Sequence, residues 1–335
     1  MLYISTRNKN DVFTAYHTMK KDRCENGGLY VPFSLNTFTE EEINSFKDKS
    51  FGQTIAEILN LFFSARIGGL DVDFCIGKNT AQLKQVNHRI VIAEAWHNSD
   101  WDFQQIVNRL SARFLEEHGD NSAPSGWMHI AVRISVLFAI YGELLRSGVV
   151  EPGKTFDISV NSDDFSIPMA AWYARKMGLP VNNIVCACND NDSLWELIHI
   201  GQLHTDPSSS MGLERLIYSA LGSEETEKFL AKCEASRVYE PDEEQFAVLR
   251  KGMFAAVVSN KRTEDVIRNV FRSSAYVLSP SSAAAYGGLQ DYRANTGEGR
   301  TALIFSERSP VCACADVAKI TGLSQQDIKE KYGSL

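Results

Sequence analysis

Short apolar runs rich in β-branched residues recur between stretches of helical periodicity, and this alternation limits the chain to few architectures. The runs are 90–94, 156–160, 183–187, 274–278 and 302–305. Each is of strand length, and strands that alternate with helices predict an α/β fold with a mostly parallel sheet flanked by helices.

The helices expected between them are 39–63, 103–117, 127–146, 168–177, 241–258, 262–272 and 323–332. Segment 127–146 carries Ile130, Ile134, Leu137, Phe138 and Tyr141 and reads as a largely buried helix. Segment 168–177 stops at Gly178 with Pro180 beyond it, a common helix end.

A 335-residue chain of 44% hydrophobic composition can bury full cores without covalent staples. Its seven cysteines are an odd number at scattered positions, which speaks against a secreted disulfide framework. The N-terminal residues lack an apolar run of signal-peptide length, and no run of eighteen uncharged apolar residues occurs, so a soluble, cytoplasmic chain is expected. A net charge of −8 offers no basic stripe for nucleic acid.

No P-loop, dinucleotide fingerprint or nucleophile elbow follows a strand. Cys186 and Cys188 with Cys312 and Cys314 could bind zinc only if the fold gathered them, and alternation along strand 183–187 favours core roles for the first pair. Glu94 and His97, three apart, lack a second histidine cluster to complete a metal site.

The segment Asn161-Ser162-Asp163-Asp164-Phe165-Ser166 falls between a strand and a helix, where backbone N–H groups can bind an anion. Glycines usually open such a loop, but here two acids stand instead and can cap the helix themselves. A phosphate charge about 4 Å from each would meet on the order of 4 kcal/mol of repulsion at an effective dielectric near 20. This loop should therefore repel phosphate unless a cation intervenes.

Several blocks resemble threonine synthases, pyridoxal-phosphate (PLP) enzymes of fold type II that convert O-phosphohomoserine and water to threonine and phosphate. Tyr3-Ile4-Ser5-Thr6-Arg7, Asn26-Gly27-Gly28-Leu29-Tyr30-Val31-Pro32 and Ser50-Phe51 through Leu59 carry the N-terminal part, and weaker similarity runs to near residue 320. The resemblance divides the chain into an N-terminal segment, 1–90, and a reduced α/β domain, 91–335, related to the tryptophan synthase β-like large domain.

The motif residues that the family uses on its cofactor have changed. Glu94 to Gln104 resembles E-L-[FW]-H-G-P-T-x-A-F-K, which places the family's Schiff-base lysine at Gln104. A carboxamide cannot form an imine. Neighbouring Lys84 and Arg109 do not match that position. Residues 158–166 resemble V-S-V-P-[ST]-G-N-F-G, so the phosphate cradle becomes Ser162, Asp163, Asp164, Phe165 and Ser166. The stretch from Cys188 through Asn189 to Asp192 resembles N-x-N-D, and Ser279-Pro280-Ser281-Ser282 replaces [DE]-P-H-x. Phe305 to Ser309 resembles the T-A-H-P turn, leaving Ser306 a hydroxyl for the pyridine nitrogen. His97, Asn189, Ser281 and Arg308 are further cleft candidates.

Between the helices near 119–126 the family has a small α/β domain of about a hundred residues, and this chain joins the helices directly. The resemblance thus implies a catalytically degenerate member with no bound PLP. It would serve as a binding, regulatory or partner subunit in amino-acid or secondary metabolism, in a homodimer or with another protein that covers the surface left open. The alternatives are an enzyme with a repurposed cleft, working without PLP through Asp163, Asp164, His97 or Ser306, and an active threonine synthase that does use PLP.

Overall fold

The computed structural model describes all residues except 65, 78, 79, 99–101, 117, 118, 120–125, 190–192, 206–210, 334 and 335. The chain begins with β1 (Leu2–Ser5), β2 (Asn8–Thr14) and β3 (Tyr30–Pro32), which form a three-stranded antiparallel sheet in the order β2-β1-β3. Next come β4 (Gln82–Asn87), β5 (Ile90–Glu94), β6 (Phe156–Asn161) and β7 (Val181–Cys188). The strands β8 (Leu203–His204) and β9 (Val238–Tyr239) pair with each other, and β10 (Met253–Val257) and β11 (Ala302–Ser306) complete the set.

The main sheet has the order β10-β7-β6-β11-β5-β4. Only β4 runs antiparallel to its neighbour, so the expected mostly parallel sheet is present. Alternation along the strands feeds two cores. Val91, Ala93, Ile158, Val160, Leu303 and Phe305 enter one, while Ile90, Ile92, Val185 and Ile304 enter the other.

On the first face lies the helix Gly126–Arg146, packed against the helices Phe51–Phe63 and Ser166–Lys176. By length and composition it could cross a membrane, yet its most apolar stretch is 89% buried inside the protein. On the second face lies the helix Pro280–Thr296. A Cβ at Gly288 would come within 2.8 Å of the Ala187 Cβ, so glycine permits this helix to approach the sheet closely.

The expected strand at 274–278 is not formed. The helix Asn260–Ser274 ends there on Ala275 in the left-handed region, and the following residues form a loop in which Val277 N–H donates to Tyr332 Oη at 2.9 Å. The expected helix 241–258 is likewise two elements. Its helical part, Glu243–Arg250, stops before Gly252, whose φ of +70° turns the chain into β10. Segment 39–63 is broken at Ser50, which opens the helix Phe51–Phe63 with a capping box to Gln53.

Candidate functional site

The C-terminal ends of β6 and β11, with the start of the helix Gln104–Glu116, enclose a cavity of about 170 Å³ lined by Asp102, Gln104, Asp163, Asp164, Ser281 and Arg308 among others. Asp163, Ser281 and Arg308 also line an adjoining cavity of about 240 Å³ that reaches Asn189. The fold therefore gathers residues from five separated sequence blocks into one cleft, where open α/β sheets commonly place their ligands. Asn189 Nδ2 donates to Asn260 Oδ1, and Asn189 Oδ1 is buried with no partner among the described residues. Residues 190–192, the rest of that block, lie outside the described residues.

Backbone bonds fix the Gln104 wall to the β11 turn. Phe103 N–H donates to Glu307 O at 2.8 Å, and Asp102 and Arg308 form an isolated bridge. Asp102 accepts from Gln104 N–H at 3.0 Å and starts the helix. The Gln104 amide donates to Asn108 Oδ1 at 3.0 Å and lies 3.5 Å from His129 Nε2. Burial first, then Arg133, holds the His129 imidazole below its ordinary pKa, so this neighbour favours the neutral form.

The central side chain of the cleft is Arg133, 3% exposed, from the helix Gly126–Arg146. Its Nε donates to Glu307 Oε1 at 2.6 Å and its Nη2 to Glu307 Oε2 at 2.9 Å. The same Nη2 lies 3.3 Å from Asp164 Oδ2. Burial raises the Asp164 pKa, but Arg133 and the Ser166 hydrogen bonds outweigh it and hold the carboxyl below its usual range.

Asp164 also bonds Ser166, the first residue of the helix Ser166–Lys176. Its Oδ1 accepts from Ser166 N–H at 3.0 Å and from Ser166 Oγ at 2.6 Å. Asp163 N–H donates to Asn161 Oδ1 at 3.0 Å, Ile167 N–H to Asp164 O at 3.1 Å and Ser162 N–H to Ala187 O at 2.8 Å. The N–H groups of Ser162, Asp163, Ser166 and Ile167 are thus already paired internally, while Ser162 Oγ is buried and has no partner among the described residues. Phe165 turns to the core, and a Cβ at Gly212 would strike its ring.

Two sequence expectations need correction. Ser306 does not line the cleft: its Oγ lies 2.7 Å from Ser282 Oγ and accepts from Trp96 Nε1 at 3.2 Å, in a buried network. His97 also lies elsewhere, on a separate cavity of about 430 Å³ shared with Glu94 and Tyr276. The anticipated repulsion at the loop is altered as well, because Arg133 is the intervening cation for Asp164. Sequence reading missed Arg133, Glu307 and His129. The available signal was one arginine in the otherwise apolar middle of a buried helix, four residues after a histidine.

Among the described residues no lysine lines either cleft cavity and no cluster of three potential metal ligands forms. The inner cavity brings Asp102, Asp163, Asp164 and Glu307 together with Arg133 and Arg308, four acids against two guanidinium groups. The relatives named below are PLP enzymes; at the positions that the resemblance assigns to the cofactor's amine and phosphate, this cleft presents the Gln104 carboxamide and the acids Asp163 and Asp164.

Residues 2–79 match the family model described as Threonine synthase N terminus. Threonine synthase of Pseudomonas aeruginosa is 23% identical over 398 residues, covering 88% of this chain and 85% of that protein. Human threonine synthase-like 1 is 25% identical over 213 residues, covering 56% of this chain and 28% of that protein. Among solved structures, PLP-bound threonine synthase from Brucella melitensis superposes with a TM-score of 0.81 at 17% identity, covering 100% of this chain and 96% of that one. Yeast threonine synthase gives 0.79 at 15% identity, over 95% and 89% of the two chains. The fold is thus that of the fold-type II PLP enzymes. The family-model match is confined to residues 2–79, and similarity to threonine synthases in sequence and fold extends over most of the chain.

Proposed function

We propose that this protein is a threonine synthase-like binding or regulatory partner, soluble and cytoplasmic, that does not hold PLP through a lysine of the cleft. One observation carries the reading: Gln104 faces a cleft whose anion loop is occupied by Asp163 and by an Asp164 that is ion-paired to Arg133. An amide offers no nucleophilic nitrogen for the cofactor's aldehyde, and an acidic loop offers no seat for its phosphate.

A shortened architecture supports the same reading. The match to the Pseudomonas enzyme extends over 398 residues, whereas 88% of 335 is about 295, so that enzyme has about a hundred additional residues within the span. We assign this difference to the small domain absent near 119–126. All of that junction except Gly119 and Gly126 lies outside the described residues. The surface left open would be covered by a second copy or by another protein of amino-acid metabolism. Exposed Leu70 and Phe74, one turn apart on the helix Gly69–Ile76, are candidate contacts.

The test is to add PLP to the purified protein, reduce with borohydride and measure intact mass, with a threonine assay from O-phosphohomoserine alongside. The expected result is an unchanged mass and no threonine. A cofactor mass fixed on any cleft residue, or threonine formation, would overturn the proposal.

A further inference from the structure

The cavity of about 430 Å³ shares no lining residue with the cleft. Its floor is Glu94, which ends β5 with a side chain 3% exposed. Tyr276 Oη donates to Glu94 Oε1 at 2.7 Å. The other oxygen, Oε2, has His97 Nδ1 4.0 Å away, beyond hydrogen-bond length, and accepts no hydrogen bond from the described residues. Glu94 lines the cavity, so this oxygen is available to a ligand that brings a donor.

His97 is a poor candidate for that donor charge, because burial first and Lys84 second hold its pKa below the ordinary histidine value. The opposite requirement appears on other walls. Lys84 and Lys331 each present an ammonium with three donors. Lys84 gives one to Gln82 Oε1 at 3.2 Å and Lys331 gives one to Ala275 O at 2.9 Å. Trp96 and Tyr332 contribute aromatic wall. A few hundred cubic ångströms with a few placed charges suits a small polar metabolite.

We infer that this cavity binds a free α-amino acid as its zwitterion, with the ammonium on Glu94 and the carboxylate facing Lys84 and Lys331. The inference is independent of the reading of the cleft. The acid side of the site is rigid, since Glu94 belongs to the sheet and Tyr276 is held beside it by packing on Tyr332 at a ring separation of 5.8 Å.

The experiment is a thermal-shift screen of the full-length protein against the twenty free L-α-amino acids, followed by calorimetry on the best. At least one should raise the melting temperature. Its decarboxylated amine and its deaminated acid should each bind at least tenfold more weakly. Glu94→Gln and the surface change Lys331→Ala should each weaken binding at least tenfold, and Asp163→Asn in the cleft should leave it within twofold. Three results would overturn the inference: no amino acid binds, Lys331→Ala binds as wild type, or Asp163→Asn abolishes binding. Lys331→Ala keeps the test decisive if Glu94→Gln fails to fold.

Discussion

Arg133 and Glu307, 174 positions apart, meet through two parallel hydrogen bonds of 2.6 and 2.9 Å inside the cleft. This bidentate pair is almost wholly shielded, with side chains 3% and 14% exposed. Removing one partner strands the other charge away from water.

Arg133→Met should therefore destabilise the protein by about 3 kcal/mol, near the lower end for a broken buried pair. Glu307→Gln keeps acceptor capacity toward the guanidinium and should cost less. Urea unfolding of both variants checks the order. Equal stability of Arg133→Met and wild type would show that the pair carries no net weight.

Ser306→Ala distinguishes a structural hydroxyl from one that serves a ligand. Ser306 accepts from Trp96 and pairs with Ser282 in a buried network, so its loss should cost about 1–2 kcal/mol of folding stability. Thermal melting measures this. No change in melting would contradict the network role.

Gln104→Lys places an amine in the cleft but leaves the loop acidic. By itself it should gain little cofactor on borohydride reduction, while Gln104→Lys combined with Asp163→Gly and Asp164→Asn should gain at least ten times more, read by intact mass. Equal labelling of the single and triple variants would show that the loop does not oppose the phosphate.

Two carboxyls set opposite pH trends. Burial raises the Glu94 pKa against the Tyr276 hydrogen bond, so the folded chain keeps a proton that the unfolded chain releases near 4.5. Stability from this group is then lost as pH climbs above about 4.5 toward the raised value. Glu94→Gln should flatten that decline in urea unfolding across this range. Asp164 behaves in reverse: its folded pKa is depressed, so its contribution is present above about 3.8 and disappears as pH falls below that. Asp164→Asn should remove the acid-side loss, and an unaltered acid limb would contradict the Arg133 pairing.

Much of the sheet was legible because strands buried on both faces read as continuous apolar runs: 90–94 is β5 and 302–305 lies within β11. Strand β10, Met253–Val257, was hidden inside an apparent helix because its apolar run directly follows a helical one. The run 274–278 misled for a tertiary reason, since Tyr276 and Val277 are apolar or aromatic to meet Glu94, Tyr332 and the C-terminal helix, and not to pair in a sheet. In the cleft, Gln104, Asp163, Asp164, Ser281 and Arg308, from separate blocks of the sequence, line one cavity. Arg133 could not be placed because nothing local reveals which distant acids a buried guanidinium will reach. Ser306 was misassigned because a motif gives the backbone position of a hydroxyl and not the direction in which it points.

The Arg133 side chain joins a helix behind the sheet, the loop after β6 and the turn after β11. Such a cross-brace resists spreading of the two lips, since parting them would expose paired charges one at a time. A ligand that wedged the loop after β6 away from the turn after β11 would have to break the Arg133 ion pairs to do so.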